Sequence, residues 1–262
     1  MTHDGPVTFL SAAGQGLGAA IARELHQAGH RLVLLGPDDA TGIIANELGA
    51  LVVTGSVTSD PDVEAAVNLA ITTWGRIDNA VVNTPRSTTI LRETIGDISG
   101  LVDVNARTMG YDPDFAPELT AIPPEAFARC HDLHVLPLVR VARAVTPFMQ
   151  RAGKGALVAI SGMDAAQPRL TFPLGPVRLA LHGYAKLYAD RYGRDGIRIN
   201  CYAPGVLENS QSTDPNLVRM IPMQRLGGLR EAAQTVAFLL SGAAEYITGQ
   251  VITADGGMNR TL

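Results

Sequence analysis

Short apolar runs alternate with helical patterns along the first half of the chain. Val7 to Leu10, Leu32 to Leu35, Leu51 to Thr54 and Ala80 to Val82 read as strands. Helical stretches separate them at Leu17 to Ala28 and Ile43 to Leu48, and a third begins at Asp60. In that third helix Asp60 reads as the cap and Pro61 as the first helical residue, where a missing N–H costs nothing. Val63, Val67, Ala70, Ile71 and Trp74 give it a 3.6-residue apolar period. The second half predicts one long helix over Pro124 to Met149, a strand over Ala156 to Ile160 and a helix over Pro176 to Tyr192. A strand at Ile197 to Tyr202, a helix at Arg230 to Leu240 and a last strand at Val251 to Thr253 complete it.

Strands that are apolar throughout are buried on both faces, as in a parallel sheet covered by helices. Right-handed crossovers then make an α/β, doubly wound fold. No repeat or shift in composition marks a second domain, so residues 1–262 are read as one. Residues 84–123 break the rhythm, with four prolines and no periodicity. Long irregular stretches inside compact domains are commonly functional, and this one is read as a flap over a site, the alternative being a surface decoration.

Composition narrows the function. A net charge of −4, with 21 basic and 25 acidic residues, offers no basic stripe for nucleic acid. No apolar run reaches the length of a membrane span. Met1 to Pro6 shows neither a signal nor a transit pattern. Two cysteines, Cys130 and Cys201, suit a reducing compartment. The expectation is a soluble cytoplasmic protein acting on a small molecule. Only two of the basic residues, Lys154 and Lys186, are lysines.

Ser11-Ala12-Ala13-Gly14-Gln15-Gly16-Leu17-Gly18 joins the first strand to the first helix. Glycines in that position let backbone approach a pyrophosphate seated on the helix N-terminus. Nucleotide binding is therefore expected at Ser11, Gly14, Gln15, Gly16, Leu17 and Gly18. The acid expected about twenty residues on, for the adenosine ribose, is a glycine, Gly36, with Asp38 and Asp39 just after it. No basic residue stands near them or in the glycine turn to meet a 2′-phosphate, which favours NAD over NADP. Asp38 is the candidate ribose ligand, the alternative being that it merely begins the next helix.

With these residues the chain resembles the short-chain dehydrogenase/reductase family from about Val7 to Gly257. The glycine turn is similar to the family's Thr-Gly-x-x-x-Gly-x-Gly, with Ser11 for Thr and Ala12 for the first Gly. Gly75-Arg76-Ile77-Asp78 looks like the lead into its fourth strand, and Asn200 to Gly205 like its Asn-x-x-x-Pro-Gly passage. Ile221 to Gly227 and Ile247 to Gly257 resemble its C-terminal signatures. The resemblance implies a Rossmann-type sheet, an NAD(P) cofactor touched also by Val57, Asn83, Pro204 and Gly205, and a homodimer or homotetramer.

The family's chemistry rests on a tyrosine that gives or takes a proton and a lysine four residues on. A serine about thirteen residues upstream orients the substrate, and an asparagine supports the lysine. Counting back from Asn200, the tyrosine position falls on Leu174 and the lysine position on Arg178; Tyr-x-x-x-Lys occurs nowhere. A guanidinium keeps its proton, so Arg178 is expected to hold ribose hydroxyls and positive charge. The serine position falls on Ser161 or Gly162, depending on the direction of counting, and the asparagine on His134. Only Asn83 survives of the family's Asn-Asn-Ala-Gly, and Ser56 replaces an acid after the third strand.

Losing a positioned general acid costs about 10²–10⁴ in rate, so either the site is rebuilt or hydride chemistry is abandoned. Ser161, Arg178, His134 and Tyr111 are the catalytic candidates: His134 as a group titrating near neutrality, and Tyr111 as a phenol from the flap. Asp164 and His182 are weaker, His182 lying one turn beyond Arg178 and able to share its face. Cys130, His131 and His134 lack complementary ligands, so no metal is expected. Three functions remain open: an oxidoreductase on a small carbonyl or alcohol with an unusual proton donor, a non-redox lyase, isomerase or dehydratase, and an inactive regulatory subunit. Arg86, Arg92 and Arg107 would suit an acidic substrate.

Overall fold

The computed structural model describes residues 5–84, 123–166, 174–210 and 217–261. Seven strands form one parallel sheet: β1 Val7–Ser11, β2 Arg31–Gly36, β3 Leu51–Thr54, β4 Asn79–Val82, β5 Gly155–Ile160, β6 Ile197–Pro204 and β7 Val251–Ala254. Their order is β3-β2-β1-β4-β5-β6-β7. The chain therefore winds outward from β1 in one direction and from β4 in the other. A crevice opens where the order reverses, beyond the C-terminal ends of β1 and β4.

Helices cover both faces: α1 Gly16–Gln27, α2 Asp39–Leu48, α3 Asp60–Trp74, α4 Pro124–His134, α5 Leu136–Ala152, α6 Leu174–Tyr192, the short α7 Leu217–Met220, and α8 Leu229–Leu240. Strand alternation divides the core between them. Val7, Phe9, Ala80, Val82, Leu157, Ala159 and Cys201 point to α3 through α6. Leu10, Leu32, Leu34, Val81, Val158 and Tyr202 point to α1, α2 and α8. Each face thus buries its own apolar layer.

Two expectations need correction. The cap of α3 is Ser59, whose hydroxyl accepts from Asp62 N at 3.4 Å, with Asp60 already inside the helix. Ser59 holds an extended backbone that a cap requires, and Asp60 does not. The stretch from Pro124 to Met149 is two helices, divided at Val135. Pro137 has no N–H for the preceding turn and disfavours helical geometry at Leu136, so α5 restarts with the proline in its first turn. None of the described helices is long and apolar enough to cross a membrane. Both cysteines are buried and unpaired, and burial pushes the thiols up, Cys130 to about 11 and Cys201 to about 12.

Candidate active site

The glycine turn opens directly onto the crevice. Ala12 takes a left-handed φ of 50° where the family places glycine, and Gly16 takes 53°. A Cβ on Gly18 would run into the Ala12 carbonyl, so glycine is what lets α1 lie against the end of β1. Gln15 precedes α1 in extended geometry without a side-chain cap, and the first turn holds no acid. Its leading amides are therefore left to the positive end of the helix dipole, a seat for phosphate. A Cβ on Gly16 would lie 2.7 Å from Asn209 Nδ2, so the loop after β6 closes over the same turn.

Several residues expected to bind cofactor are engaged with the chain itself. Ser11 Oγ donates to the Asn83 carbonyl at 2.7 Å and accepts from Asn83 N at 3.1 Å. Asn83 Nδ2 donates to the Ala12 carbonyl at 3.1 Å. Ser11, fully buried, and Asn83 thus brace the ends of β1 and β4 against each other. Val57 lies in the core beneath α3. Asp38 caps α2, accepting from Thr41 N and Oγ1, each at 3.3 Å. The cap is exposed, and its Oδ1 comes within 3.0 Å of where a Gly14 Cβ would sit, so its carboxylate also borders the glycine turn. The Thr41 hydroxyl fills the space over Gly36, whose bare Cα makes room for it. Pro204 ends β6, and Gly205 lets Asp255 pack closely against it. Asn200, fully buried, fixes the loop before β7 through Ile247 O at 2.8 Å and Gln250 N at 3.1 Å.

On the other side of the crevice, polar side chains from β5, α4 and α6 meet. Arg178 donates to Asp164, which lies on the short 3-10 turn Met163–Ala165 after β5. The two side chains are 18% and 6% exposed. A Cβ on Gly162 would collide with Arg178 Nη1, so the guanidinium occupies the space that a side chain at 162 would take. That leaves Ser161 as the hydroxyl at the end of β5, and His182 Nε2 lies 2.7 Å from its Oγ. His134 Nδ1 lies 3.1 Å from Thr84 Oγ1.

Burial, with the charge of Arg178 added, pushes His134 down to about 3; Asp164 offsets only part of this. His134 is consequently a neutral imidazole at pH 7, which corrects the expectation that it titrates near neutrality. Its surroundings, not its residue type, decide the matter. His182 is lowered by the same causes in the same order but is only half-buried. Tyr111, Arg86, Arg92, Arg107 and nearly all of the expected flap lie outside the described residues.

Neither lysine reaches this cluster. Lys154 precedes β5 at the opposite rim, roughly 20 Å away by strand rise. Lys186 lies two turns beyond Arg178 and faces Asp190 at 3.9 Å. A cleft of about 1000 Å³ also lies at that opposite rim, lined by Arg76, Lys154, Arg198 and Glu245. There Arg76 is paired with Asp78, and Arg198 is bound to the carbonyls that end α8. Among the described residues no group of three or more His, Cys, Asp or Glu side chains converges as a metal site would.

Comparison with known proteins gives this arrangement a family. A family model described as enoyl-(acyl carrier protein) reductase matches residues 11–98 and 82–259. The chain is 30% identical over 271 residues to the cattle (Bos taurus) dehydrogenase/reductase SDR family member 4, covering 97% of this chain and 87% of that one. It is 28% identical over 277 residues to oxidoreductase UcpA of Salmonella typhimurium, covering 97% and 94%. It belongs to the short-chain dehydrogenase/reductase family. The fold agrees: L-sorbose reductase from Gluconobacter frateurii, solved with NADPH and L-sorbose, superimposes with a TM-score of 0.79 at 24% identity, covering 98% of each chain. As a short-chain dehydrogenase/reductase the chain belongs among NAD(P)-dependent oxidoreductases. Sequence reasoning ranked His182 and Asp164 low. The helical spacing of Arg178 and His182 was the available signal, but their partners across the β5 turn belong to the tertiary fold.

Proposed function

We propose that this short-chain dehydrogenase/reductase moves hydride between a nicotinamide cofactor and a small carbonyl or alcohol, in a site where the family's tyrosine and lysine have been replaced. The uncapped N-terminus of α1 behind its glycine turn carries the reading. It fits a dinucleotide pyrophosphate and opens onto the same crevice as Arg178 and Ser161. Bound there, the cofactor would supply or accept the hydride. The chain's own part is to bind it, orient the substrate and handle the proton.

Gly14, Gly16 and Gly18 leave backbone bare for the pyrophosphate, while Ser11 and Asn83 hold the turn in shape. Arg178, anchored by Asp164, keeps further N–H groups for ribose hydroxyls. Ser161 meets the substrate oxygen. His134, neutral and buried, backs Arg178 without exchanging a proton. Leu174 is 2% exposed and has no proton to give, and Tyr111 stays a candidate phenol.

NAD is the preferred cofactor in this reading, although the L-sorbose reductase was solved with NADPH. The support is the Asp38 carboxylate beside Gly14, with no basic side chain in Gly36–Asp39 or Ser11–Gly18 to offset a 2′-phosphate. A homodimer or homotetramer is part of the same proposal. Leu179 and Leu187, 48% and 70% exposed, flank Gly183 at four-residue steps on α6, an apolar stripe open to a second copy.

Titration calorimetry with NADH and NADPH, followed by absorbance assays over small ketones and alcohols, tests the proposal. Binding of NADH tighter than NADPH, with oxidation of the cofactor by some carbonyl, is expected. Failure of both cofactors to bind at millimolar concentration would end it.

A further inference from the structure

The replaced tyrosine leaves the proton unassigned, and the polar groups around Arg178 differ in what they can do with one. Arg178 is held in its ion pair with Asp164. Leu174 carries none. His134 is sealed in the core, bonded to Thr84. Ser161 and His182 differ from all of these. Ser161 is 3% exposed at the inner end of β5, while His182 is half-buried on α6, and Oγ and Nε2 lie 2.7 Å apart. The couple therefore runs from the interior of the crevice toward solvent.

Its geometry is fixed from both sides. Ser161 N donates to the Tyr202 carbonyl at 2.7 Å, so the residue continues the β5–β6 ladder beyond the last formal strand position. Alternation puts its side chain on the face of Leu157 and Ala159, the face that α6 covers. Arg178 and His182, one helical turn apart, both reach this end of β5: one to Asp164 across Gly162, the other to Ser161. A hydroxyl has one proton and two lone pairs, so a bond to Nε2 leaves capacity for a substrate oxygen.

We propose that Ser161 and His182 form the proton-transfer couple of this site, Ser161 touching the substrate oxygen and His182 exchanging the proton through it. The proposal rests on the dehydrogenase reading above. In oxidation the alcohol O–H gives its proton to Ser161 Oγ as Oγ–H passes its own to Nε2. The electron pair of the breaking C–H bond leaves with the hydride. In reduction the substrate oxygen takes the Oγ proton, Ser161 recovers one from the Nε2–H of the protonated ring, and solvent refills His182. The charges facing His182 are Arg178 on its own helix and Asp164 on the turn after β5, with Lys186 one turn further along α6. Burial and Arg178 together keep the ring below its ordinary value, so the proton-accepting form prevails at neutral pH.

A hydroxyl hydrogen-bonded to a neutral imidazole is an activated nucleophile, which allows a test without knowing the substrate. The intact protein is treated with methanesulfonyl fluoride: Ser161 Oγ bonds to sulfur, fluoride leaves, and the proton goes to His182. Peptide mass spectrometry is expected to find the label on Ser161, with none in Ser161→Ala and labelling at least about 100-fold slower in His182→Gln. Free imidazole should restore labelling of His182→Ala, and bound NADH or NADPH should protect the wild type.

The wild-type rate should fall as a single group protonates below pH 6.5, a readout that no variant's folding can disturb. An unlabelled Ser161, equal rates in His182→Gln, no rescue by imidazole, or a pH-independent rate would each overturn the couple. Labelling unchanged by a cofactor that calorimetry shows to be bound would remove it from the reaction site, overturning it too. If labelling depends on His182 while neither cofactor binds, it is the dehydrogenase reading that fails.

Discussion

At the ends of β1 and β4, polar side chains bind backbone; at the end of β5 they bind one another. Ser11 holds the main chain of Asn83, Asn83 holds the Ala12 carbonyl of the glycine turn, and Asp38 holds the third amide of α2. Ala12 nevertheless takes the left-handed φ of 50° that glycine adopts more readily. Around β5 the residues fit as a set. Arg178 needs a glycine at 162 and a carboxylate at 164, and His182 needs the hydroxyl of Ser161. The contacts of the glycine turn run to main chain, whereas the side chains around β5 depend on one another.

Breaking the set should cost most. Asp164→Asn leaves the mostly buried Arg178 without its counter-charge and should lower stability by about 3 kcal/mol in urea titrations. A loss under about 1 kcal/mol would mean that Arg178 is solvated and the set is loose. Gly18→Ala tests the other half by pressing a Cβ into the Ala12 carbonyl. It should cost up to about 3 kcal/mol and abolish cofactor binding in calorimetry. Gly162→Ser puts a side chain where the Arg178 guanidinium lies and collides with it. It should cost about 2 kcal/mol alone, and most of that should return in the double variant with Arg178→Lys. Additive losses would show that the two positions are independent.

His134 separates the halves by pH. Its value is about 3 folded and 6.5 unfolded, so between these the unfolded chain holds a proton that the folded chain lacks. Stability is complete above pH 6.5 and falls on acidification by about 1.4 kcal/mol per unit. Between pH 6.5 and 5 the wild type should lose about 2 kcal/mol more than His134→Asn. Equal losses would place His134 in contact with solvent. The smallest effect belongs to the cofactor half: Asp38→Ala should cost about 1 kcal/mol of cap energy and narrow any preference for NADH over NADPH.

The sheet was legible because a parallel strand covered on both sides is mostly apolar, as in Leu32 to Leu35 and Leu157 to Ile160, while Thr8, Asn79 and Asn200 find hydrogen-bond partners within the fold. Helix ends were less so, since Ser59 and Asp60 are both good caps and only backbone geometry chooses between them. The break at Val135 was available in Leu136-Pro137 but was outweighed by the apolar period on either side. In the site, spacing located Leu174, Arg178 and Ser161 because the family's register survives. It could not show that Arg178 fills the space over Gly162, nor that His182 reaches Ser161. Nor could it show that burial would silence His134. Those facts depend on how α4, α6 and the β5 turn pack, which no single stretch of sequence encodes.

The structure of the complex with NADH tests the account most directly. It predicts the pyrophosphate on the leading amides of α1 and Ser161 Oγ within about 3 Å of the substrate oxygen's place, with His182 behind it. A cofactor seated elsewhere, or a tyrosine hydroxyl in that place backed by Lys154 or Lys186, would contradict it.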